Sequence, residues 1–563
     1  MSGPKMSRLF PLAVTVLALG LLIGTNAFAT TYYIAANGSD SNNGTSQSTA
    51  WLHAPGMPKC TGTCAGTTPQ AGDSFIFRGG DSWHFANSAA SPYTGGSWNW
   101  TWAGSSASCN LDASSGSVVK TSCIYVGVDE TWYTGGSWVR PILTMDNPLT
   151  TSRPSSCSFN NNGLNGVYLR SSYVVFDNFD VQGECWTASP PNASWITVGG
   201  KQVEVENSYF HGWTYASTSN ADEFRQIGWM SGAGFVLIDH NVFDGSDASL
   251  GTSQYHASGF AIGVGTEVAF NVFRHVSNGM IGGTGMLNSV HDNLFEYMYE
   301  PTASTHGNII ESNGQAPSSN PNQYFYNNVY RHTDEGIMIF LEPYPGGALY
   351  AFNNVAYDNA NGLNCLLIGL PQQGTAAIRV YVYNNTFDSQ ANVQGNNNGG
   401  CQVSLGTGTN TTTPNSGNFL YFENNHFVNY SSLSNVYAFE GTNSSETTIV
   451  DNGSEIFQSE ATANSQGYTA ANAYAPTSGT GATVGAGTDL TGSCSTFSYD
   501  SAFCSGTSDG SAEQSGNGGF VVSDPAIALV ARPNTGAWDA GAYLFGSSSA
   551  KPNPPTGLTA VVD

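Results

Sequence analysis

One short phrase recurs nine times between residues 175 and 427. It reads VFDNFD, VENSYF, IDHNVF, AFNVF, VHDNLF, YNNVY, FNNVA, YNNTF and ENNHF. Its second polar residue gives an anchor in each unit, and the anchors are Asn178, Ser208, Asn241, Asn271, Asn293, Asn328, Asn354, Asn385 and Asn425, at gaps of 22 to 40 residues. Self-similar units of this period are typical of stacked repeat architectures.

Each unit contains short strands. Apolar and polar residues alternate before each anchor, and an apolar stretch opened by glycine, such as GFAI at 259–262, precedes most units. We therefore predict an all-β chain that folds as a right-handed parallel β-helix, with coils stacked at about 4.8 Å. The anchor asparagines should form a ladder in a left-handed turn, with the following aromatics stacked in the core. An antiparallel β-sandwich also has short strands, but it does not explain the constant register.

The first residues predict export. A basic start, an apolar run at 9–23 and a small-residue site at 27–29 are typical of a signal peptide, here 1–29. No later segment is long and apolar enough to span a bilayer. In an oxidising compartment the ten cysteines should form disulfides. Sequence does not fix their connectivity, but local pairs are the natural expectation: Cys60/Cys64, Cys109/Cys123, Cys157/Cys185, Cys365/Cys401 and Cys494/Cys504.

The excess of acidic over basic residues limits the classes of molecule that the protein can bind. Lys plus Arg number 15 against 40 Asp plus Glu, so nucleic acid is excluded as a partner because binding it requires cations that neutralise phosphates. A strongly polyanionic substrate is disfavoured for the same reason unless metal ions bridge it. We expect a secreted or cell-surface monomer.

Composition divides the chain. Residues 30–165 are loop-rich and should form the N-terminal cap and first coils, 166–440 the regular coils, and 441–545 irregular last coils with a closing segment. Residues 546–563 combine a GSSSAKPNPP linker with PPTGLTAVVD. The latter is similar to the first strand of a fibronectin type III module, which implies further extracellular modules as partners.

Both ends of the repeat region resemble a known superfamily. The start TYYIAANGSDSNNGTS…AGDSFIFRGGDSW (31–83) and the end RPNTGAWDAGAYLFG (532–546), with the coils between, resemble secreted β-helix proteins of the pectin-lyase-like superfamily. The resemblance implies the fold. It also favours polysaccharide chemistry, although that superfamily includes lyases, glycosidases and non-enzymatic surface proteins.

The motifs of the well-known subfamilies are mostly missing. The polygalacturonase set (NTD, DD, GHG, RIK) is absent, and the coils contain no RxPxxR. VLIDH at 236–240 resembles the WIDH-like stretch of pectate lyases, which implies Asp239 as a calcium ligand, with Asp244 and Asp247 as further candidates in the same segment. The same letters are also simply one more copy of the coil phrase.

Three consecutive coils align charged residues. Counted from the core aromatic, the columns are Arg274–Glu296–Arg331, His275–Tyr297–His332 and Asn278–Glu300–Glu335. We interpret the first column as alternating charges on a solvated face. His275 and His332 from the second column, together with Arg331 from the first, are our candidates for substrate binding.

Glu300 beside Glu335 is harder to explain structurally, because stacked like charges are destabilising. An insertion makes a second count possible, in which His306 instead of Glu300 neighbours Glu335. We therefore predict that Glu300, His306, Asp334 and Glu335 converge as a catalytic group for proton transfer. A hydrogen-bonded turn network is the structural alternative.

Aromatic residues supply possible sugar-stacking surfaces. Trp213 and Tyr215 lie before the charged coils and could bind sugar rings, or they could pack in the core. Two functions follow: an enzyme that cleaves an extracellular polysaccharide as a hydrolase or a lyase, and a non-catalytic carbohydrate-binding or adhesive protein. Calcium is the only cofactor that the sequence suggests.

Overall fold

The fold is a right-handed parallel β-helix, seen in a computed structural model. It describes residues 29–546 except 87–94, 114–115, 150–153, 160–164, 188–193, 217–224, 231–232, 246–256, 263–265, 283–287, 299–308, 313–319, 332–339, 342–344, 358–365, 370–376, 390–401, 407–416, 440–446, 495–501 and 506–529. Every named strand pair is parallel. The predicted fold is therefore confirmed.

Sheet 1 is the longest sheet. It has 13 strands: Thr31–Ile34, Ser74–Gly79, Ile124–Tyr133, Val174–Asp177, Val203–Glu206, Val236–Asp239, Glu267–Ala269, Ser289–His291, Gln323–Tyr326, Ala348–Phe352, Arg379–Tyr383, Asn418–Glu423 and Thr447–Asp451. Sheet 2 follows it after a two-residue turn in each regular coil. Its 12 strands are Ser82–His84, Ile142–Thr144, Asp180–Gln182, Tyr209–His211, Val242–Asp244, Val272–Arg274, Leu294–Glu296, Val329–Arg331, Val355–Tyr357, Thr386–Asp388, His426–Val428 and Ile456–Gln458.

A third face completes the coils. Sheet 3 has seven strands: Trp98–Trp100, Val167–Leu169, Ser194–Val198, Arg225–Trp229, Ala257–Ile262, Val276–Gly282 and Ile310–Ser312. Sheet 4 has four: Phe340–Leu341, Leu366–Gly369, Val403–Gly406 and Tyr437–Phe439. Cys185–Trp186 and Thr214–Tyr215 form a small separate pair.

Helical structure is brief. The α-helices are Gly62–Gly66, Glu460–Ser465 and Ala502–Ser505, and the 3-10 turns are Gln47–Thr49, Leu433–Asn435, Ala470–Asn472 and Thr491–Ser493. Within the part of the chain that the structure describes, no helix is long and apolar enough to cross a membrane.

The asparagine ladder is confirmed, but its geometry differs from the prediction. From Asn241 to Asn425 each backbone N–H donates to the side-chain Oδ1 of the next asparagine, at 2.9–3.1 Å. All seven side chains are fully buried. The left-handed conformation belongs to the residue before each one, for example Asn327 with φ 53° and Asn353 with φ 57°. Two neighbouring residues thus divide the roles that we assigned to one.

The first anchor was also displaced by one residue. Asp177 pairs with Glu206, and Val181 with Phe210. Phe179, not Asn178, is therefore the equivalent of Ser208. The aromatic column is as predicted from Phe210 to Phe295, with ring centroids 4.9–5.0 Å apart in the core.

The disulfides join cysteines that are close in sequence, 4 to 28 residues apart. Four predicted pairs are confirmed: Cys60–Cys64, Cys109–Cys123, Cys157–Cys185 and Cys494–Cys504. The fifth, Cys365/Cys401, lies outside the described residues.

Candidate functional site

Acidic residues accumulate on the outer face of sheet 1. In the strand Val203–Glu206 the two valines point into the core, so the alternation of strand side chains places Glu204 and Glu206 outside. The register sets Glu206 between Asp177 and Asp239 on the adjacent strands. Three carboxylates therefore stack directly over one another, which is unfavourable unless something compensates.

Glu204, Glu206 and Asp239 form the group that we call the carboxylate cluster. One oxygen from each lies within 4.8 Å of the others, although only 2%, 8% and 7% of these residues is exposed. Lys120 Nζ lies 2.7 Å from Glu204 Oε2 and 3.0 Å from Glu206 Oε1. One ammonium group thus faces three buried carboxyls.

A short hairpin carries Lys120 to the cluster. The Cys109–Cys123 disulfide closes the hairpin, and Asn110 and Val119 pair across it. Its Leu111 packs with Val175, and the Leu111 N–H donates to Gln202. The hairpin therefore lies against sheet 1 with its lysine over the acids.

Not every carboxyl oxygen is satisfied. Asp177 accepts from the Tyr125 hydroxyl and from Asn207 Nδ2. Asp239 Oδ2 contacts His240 Nδ1 at 2.8 Å, whereas Asp239 Oδ1 is buried without a hydrogen-bond partner in the part of the chain described. Buried polar atoms are nearly always hydrogen-bonded, so Asp239 Oδ1 has the capacity to accept one further donor or a cation.

The environment shifts the acids into the neutral range. Burial, and then the neighbouring carboxylates, raise the pKa of Glu204 and of Glu206 to about 8. Burial likewise raises the pKa of Asp239 and of Asp177 to about 7. Burial alone would lower the pKa of Lys120, but Glu206 and Glu204 outweigh it and raise that pKa. Groups that exchange protons near pH 7 are what acid–base catalysis uses.

The cluster also fits a calcium ion by its donor set. Calcium takes carboxylate oxygens at about 2.3–2.6 Å, so oxygens up to about 5 Å apart can share one ion. The 4.8 Å spread is within that limit, and Lys120 supplies positive charge at the same place. Of the predicted calcium ligands, Asp239 belongs to this cluster, Asp244 lies on sheet 2, and Asp247 is outside the described residues.

The outer column of sheet 1 continues into aromatic residues. In register, Glu204 is followed by Leu237, Glu267 and Ser289. The next four residues are Tyr324, Tyr350, Tyr381 and Tyr421, which we call the tyrosine strip. Between cluster and strip, His291 contacts Glu267 at 3.2 Å and Asp292 at 2.8 Å. These two carboxylates outweigh the burial of His291 and raise its pKa to about 10.

The predicted charge column on sheet 2 has the expected register. Arg274 is paired with Glu296, and Glu296 with Arg331. Glu296 Oε2 lies 3.0 Å from Arg331 Nη2, and Arg331 Nη1 donates to the Tyr357 hydroxyl at 2.9 Å. Our expectation of a solvated face was wrong, since Glu296 and Arg331 are only 3% and 4% exposed.

His275 is buried beside this column. Its Nδ1 lies 2.7 Å from Asp244 Oδ1, and its ring stacks on Tyr297 with centroids 5.6 Å apart. Arg274 Nε is 3.7 Å from Asp244 Oδ2. Protein partners thus hold both His275 and Arg331 in place. Their contact with substrate stays a prediction.

Most of the remaining predicted site residues lie outside the described part of the chain. Trp213 packs in the core with 1% of its surface exposed, which favours the packing alternative. Tyr215 ends a short strand, and its side chain is not described. Outside the described residues lie Glu300, His306, His332, Asp334 and Glu335. Their convergence stays a prediction.

The carboxylate cluster was missed by sequence reasoning. The alternation VEVE at 203–206, counted in register with Asp177 and Asp239, would have revealed stacked acids on one face. Nothing comparable identifies Lys120, because its hairpin lies outside the repeats.

Comparison with known proteins gives structural similarity only. No family model matches the chain, and no curated protein matches it in sequence. Among solved structures, a GH136 lacto-N-biosidase from Eubacterium ramulus is 11% identical, with 76% of this chain and 68% of that one covered and a TM-score of 0.38. A rhamnogalacturonan lyase is 12% identical (75% and 88% covered, TM-score 0.35), and a pectate lyase 15% identical (92% and 96% covered, TM-score 0.33). At such values the argument about function rests on the residues themselves.

Proposed function

We propose that this protein is a secreted carbohydrate-active enzyme that hydrolyses a polysaccharide lying along the outer face of sheet 1. The observation that carries the proposal is the carboxylate cluster, in which three buried carboxyls lie within 4.8 Å of one another and have raised pKa values. Carboxyls with perturbed pKa values cluster at functional sites, although structural ion networks also perturb them. The four disulfides support an oxidising, extracellular location.

The cluster has the parts that glycoside hydrolysis requires. Glu206, with a pKa of about 8, holds a proton at pH 7 and can donate it to the glycosidic oxygen. Asp239 lies opposite on the next strand, and its ionised carboxylate would attack the anomeric carbon as the glycosidic C–O bond breaks. Water then attacks the anomeric carbon, Glu206 takes a proton from that water, and the Asp239 carboxylate is released. Pairing on adjacent strands sets the two carboxyls one strand spacing (~4.8 Å) apart, closer to the ~5–5.5 Å of retaining enzymes than to the ~6.5–9.5 Å of inverting ones.

A panel of neutral and uronic-acid polysaccharides tests the proposal. New reducing ends without unsaturated products would support hydrolysis, whereas unsaturated uronides would indicate a lyase. Glu206→Gln should lower the rate at least 10²-fold, as expected on loss of a general acid. Glu460→Gln, an exposed carboxyl at the start of a helix, is the matched control and should keep full activity.

A second candidate is non-catalytic carbohydrate binding. It is favoured by Lys120, which lies directly over Glu204 and Glu206 and could fasten the hairpin to sheet 1 as a purely structural ion cluster. Binding of a polysaccharide without any cleavage product would support this second function and overturn the first.

A further inference from the structure

The tyrosine strip is unusually regular for a surface feature. Tyr324, Tyr350, Tyr381 and Tyr421 stand on four consecutive strands, with ring centroids 5.0, 5.0 and 4.8 Å apart. The rings are within 11° of parallel. Because their faces are in contact with one another, they do not present flat surfaces on which a sugar ring could stack.

What the strip presents is a row of phenolic hydroxyls. Side chains stand roughly perpendicular to a sheet, so the hydroxyl is the outermost atom of each tyrosine. Each hydroxyl can both donate and accept a hydrogen bond. The row therefore repeats one donor–acceptor group per coil, at the spacing of the strands.

Stacking alone does not require these hydroxyls. In the adjacent outer column, His291, Tyr326 and Phe352 stack equally closely, at 4.6 and 4.7 Å. That column mixes residue types and is covered at Phe352 by Phe503, with centroids 5.2 Å apart. The strip is tyrosine at all four positions; Tyr324, Tyr381 and Tyr421 are only half-buried, and Tyr350 is 8% exposed.

Apolar and charged residues surround the strip. Leu490, Phe503 and Trp538 from the C-terminal part belong to one buried cluster with Tyr350, and Tyr324, Tyr381 and Tyr421 pack against that cluster. Glu267 precedes the strip in register, and Glu423 lies two residues after Tyr421 on the same strand. Arg379, two residues before Tyr381 on the same strand, is a cation on the same face, and the whole chain carries a net charge of −25. This charge balance fits a neutral ligand and opposes an anionic one.

We propose that the tyrosine strip binds an extended, neutral, β-1,4-linked glycan whose chain runs along the helix axis. An equatorially linked pyranose chain advances by nearly one strand spacing per sugar, so its hydroxyls can meet one tyrosine each. An α-1,4-linked chain curls away from a straight row. This substrate class rests on the proposed function, but binding at the strip is measured separately from cleavage.

Calorimetry with the full chain tests the strip. The Glu206→Gln background prevents cleavage, and the probes are cellohexaose, mannohexaose, maltohexaose and hexagalacturonate. One or both β-1,4-linked hexaoses should bind, and the other two should not. Tyr381→Phe and Tyr421→Phe remove hydroxyls but keep the stack, so each should weaken binding about fivefold, and together more than tenfold.

Tyr326→Phe is the matched control, because it removes a hydroxyl from a fully buried ring one column away. It should bind as the background does, and melting temperatures should confirm that all variants fold. The proposal is overturned if neither β-1,4-linked hexaose binds, if maltohexaose or hexagalacturonate binds as well, or if the strip variants bind like the control. Strip binding without turnover by the unsubstituted chain would overturn only the proposed hydrolysis.

Discussion

Replacing Lys120 by methionine should destabilise the protein in a pH-dependent way. The substitution keeps the length of the aliphatic stem and removes the one ammonium group that lies 2.7 Å and 3.0 Å from Glu204 and Glu206. Removing one partner of a buried ion pair costs about 3–5 kcal/mol. Because 37% of the Lys120 side chain is exposed, solvent screens the pair, and we expect about 2 kcal/mol at pH 9.

At pH 5.5 the loss should be small. Glu204 and Glu206, with pKa values of about 8, are then protonated in the folded protein and gain little from a cation. Urea denaturation followed by tryptophan fluorescence would measure both values, with the exposed Lys201→Met as the matched control. An equal loss at both pH values, or none at either, would refute the electrostatic account of the cluster.

Three further predictions concern stability and metal binding. The pKa of Glu206 is raised from 4.5 to about 8, so its contribution to stability is fully present below pH 4.5 and is lost as pH rises through 8. The loss is at most about 5 kcal/mol. In Glu206→Gln, the free energy of unfolding measured in urea should therefore fall less between pH 5 and 8.5 than in the unsubstituted protein. Lys120→Ala should tighten calcium binding measured by calorimetry, and Asp239→Asn should abolish it; no calcium binding by Lys120→Ala would argue against the cation fit. Asn328→Ala removes a side chain that hydrogen-bonds to Asn293, Val290 and Asn354. It should lower the free energy of unfolding in urea by about 3 kcal/mol, and the exposed control Asn435→Ala by less than about 0.5 kcal/mol. Equal effects of the two substitutions would contradict the role of the ladder.

The fold was predictable because one local rule is repeated in every coil. A valine, a polar residue and a small turn recur at fixed offsets, so a single coil determines the register of its neighbours. The same counting correctly aligned Arg274, Glu296 and Arg331. It could not show that this column is buried, since burial depends on segments distant in sequence, such as the Tyr474 region that packs with Tyr357.

The site was less predictable for the same reason. Its acids belong to repeats and could be counted, but Lys120 arrives from an irregular hairpin whose position a disulfide and Leu111 fix. In the sequence, the four tyrosines of the strip look like ordinary strand residues. Only the stacking distances show that they form one row. Features that depend on one coil can be predicted from the sequence, whereas features that depend on loops require the structure.

The central claim is that hydrolysis occurs at the carboxylate cluster. The most direct measurement compares the turnover of Glu206→Gln, Asp239→Asn and Glu335→Gln on whichever polysaccharide the protein cleaves. Glu335 is the strongest sequence-predicted rival, whereas Glu206 and Asp239 lie together on sheet 1. We predict that Glu206→Gln and Asp239→Asn lose at least 10²-fold in kcat while Glu335→Gln retains most of its activity. Loss of turnover in Glu335→Gln with full activity in the two cluster variants would contradict the account.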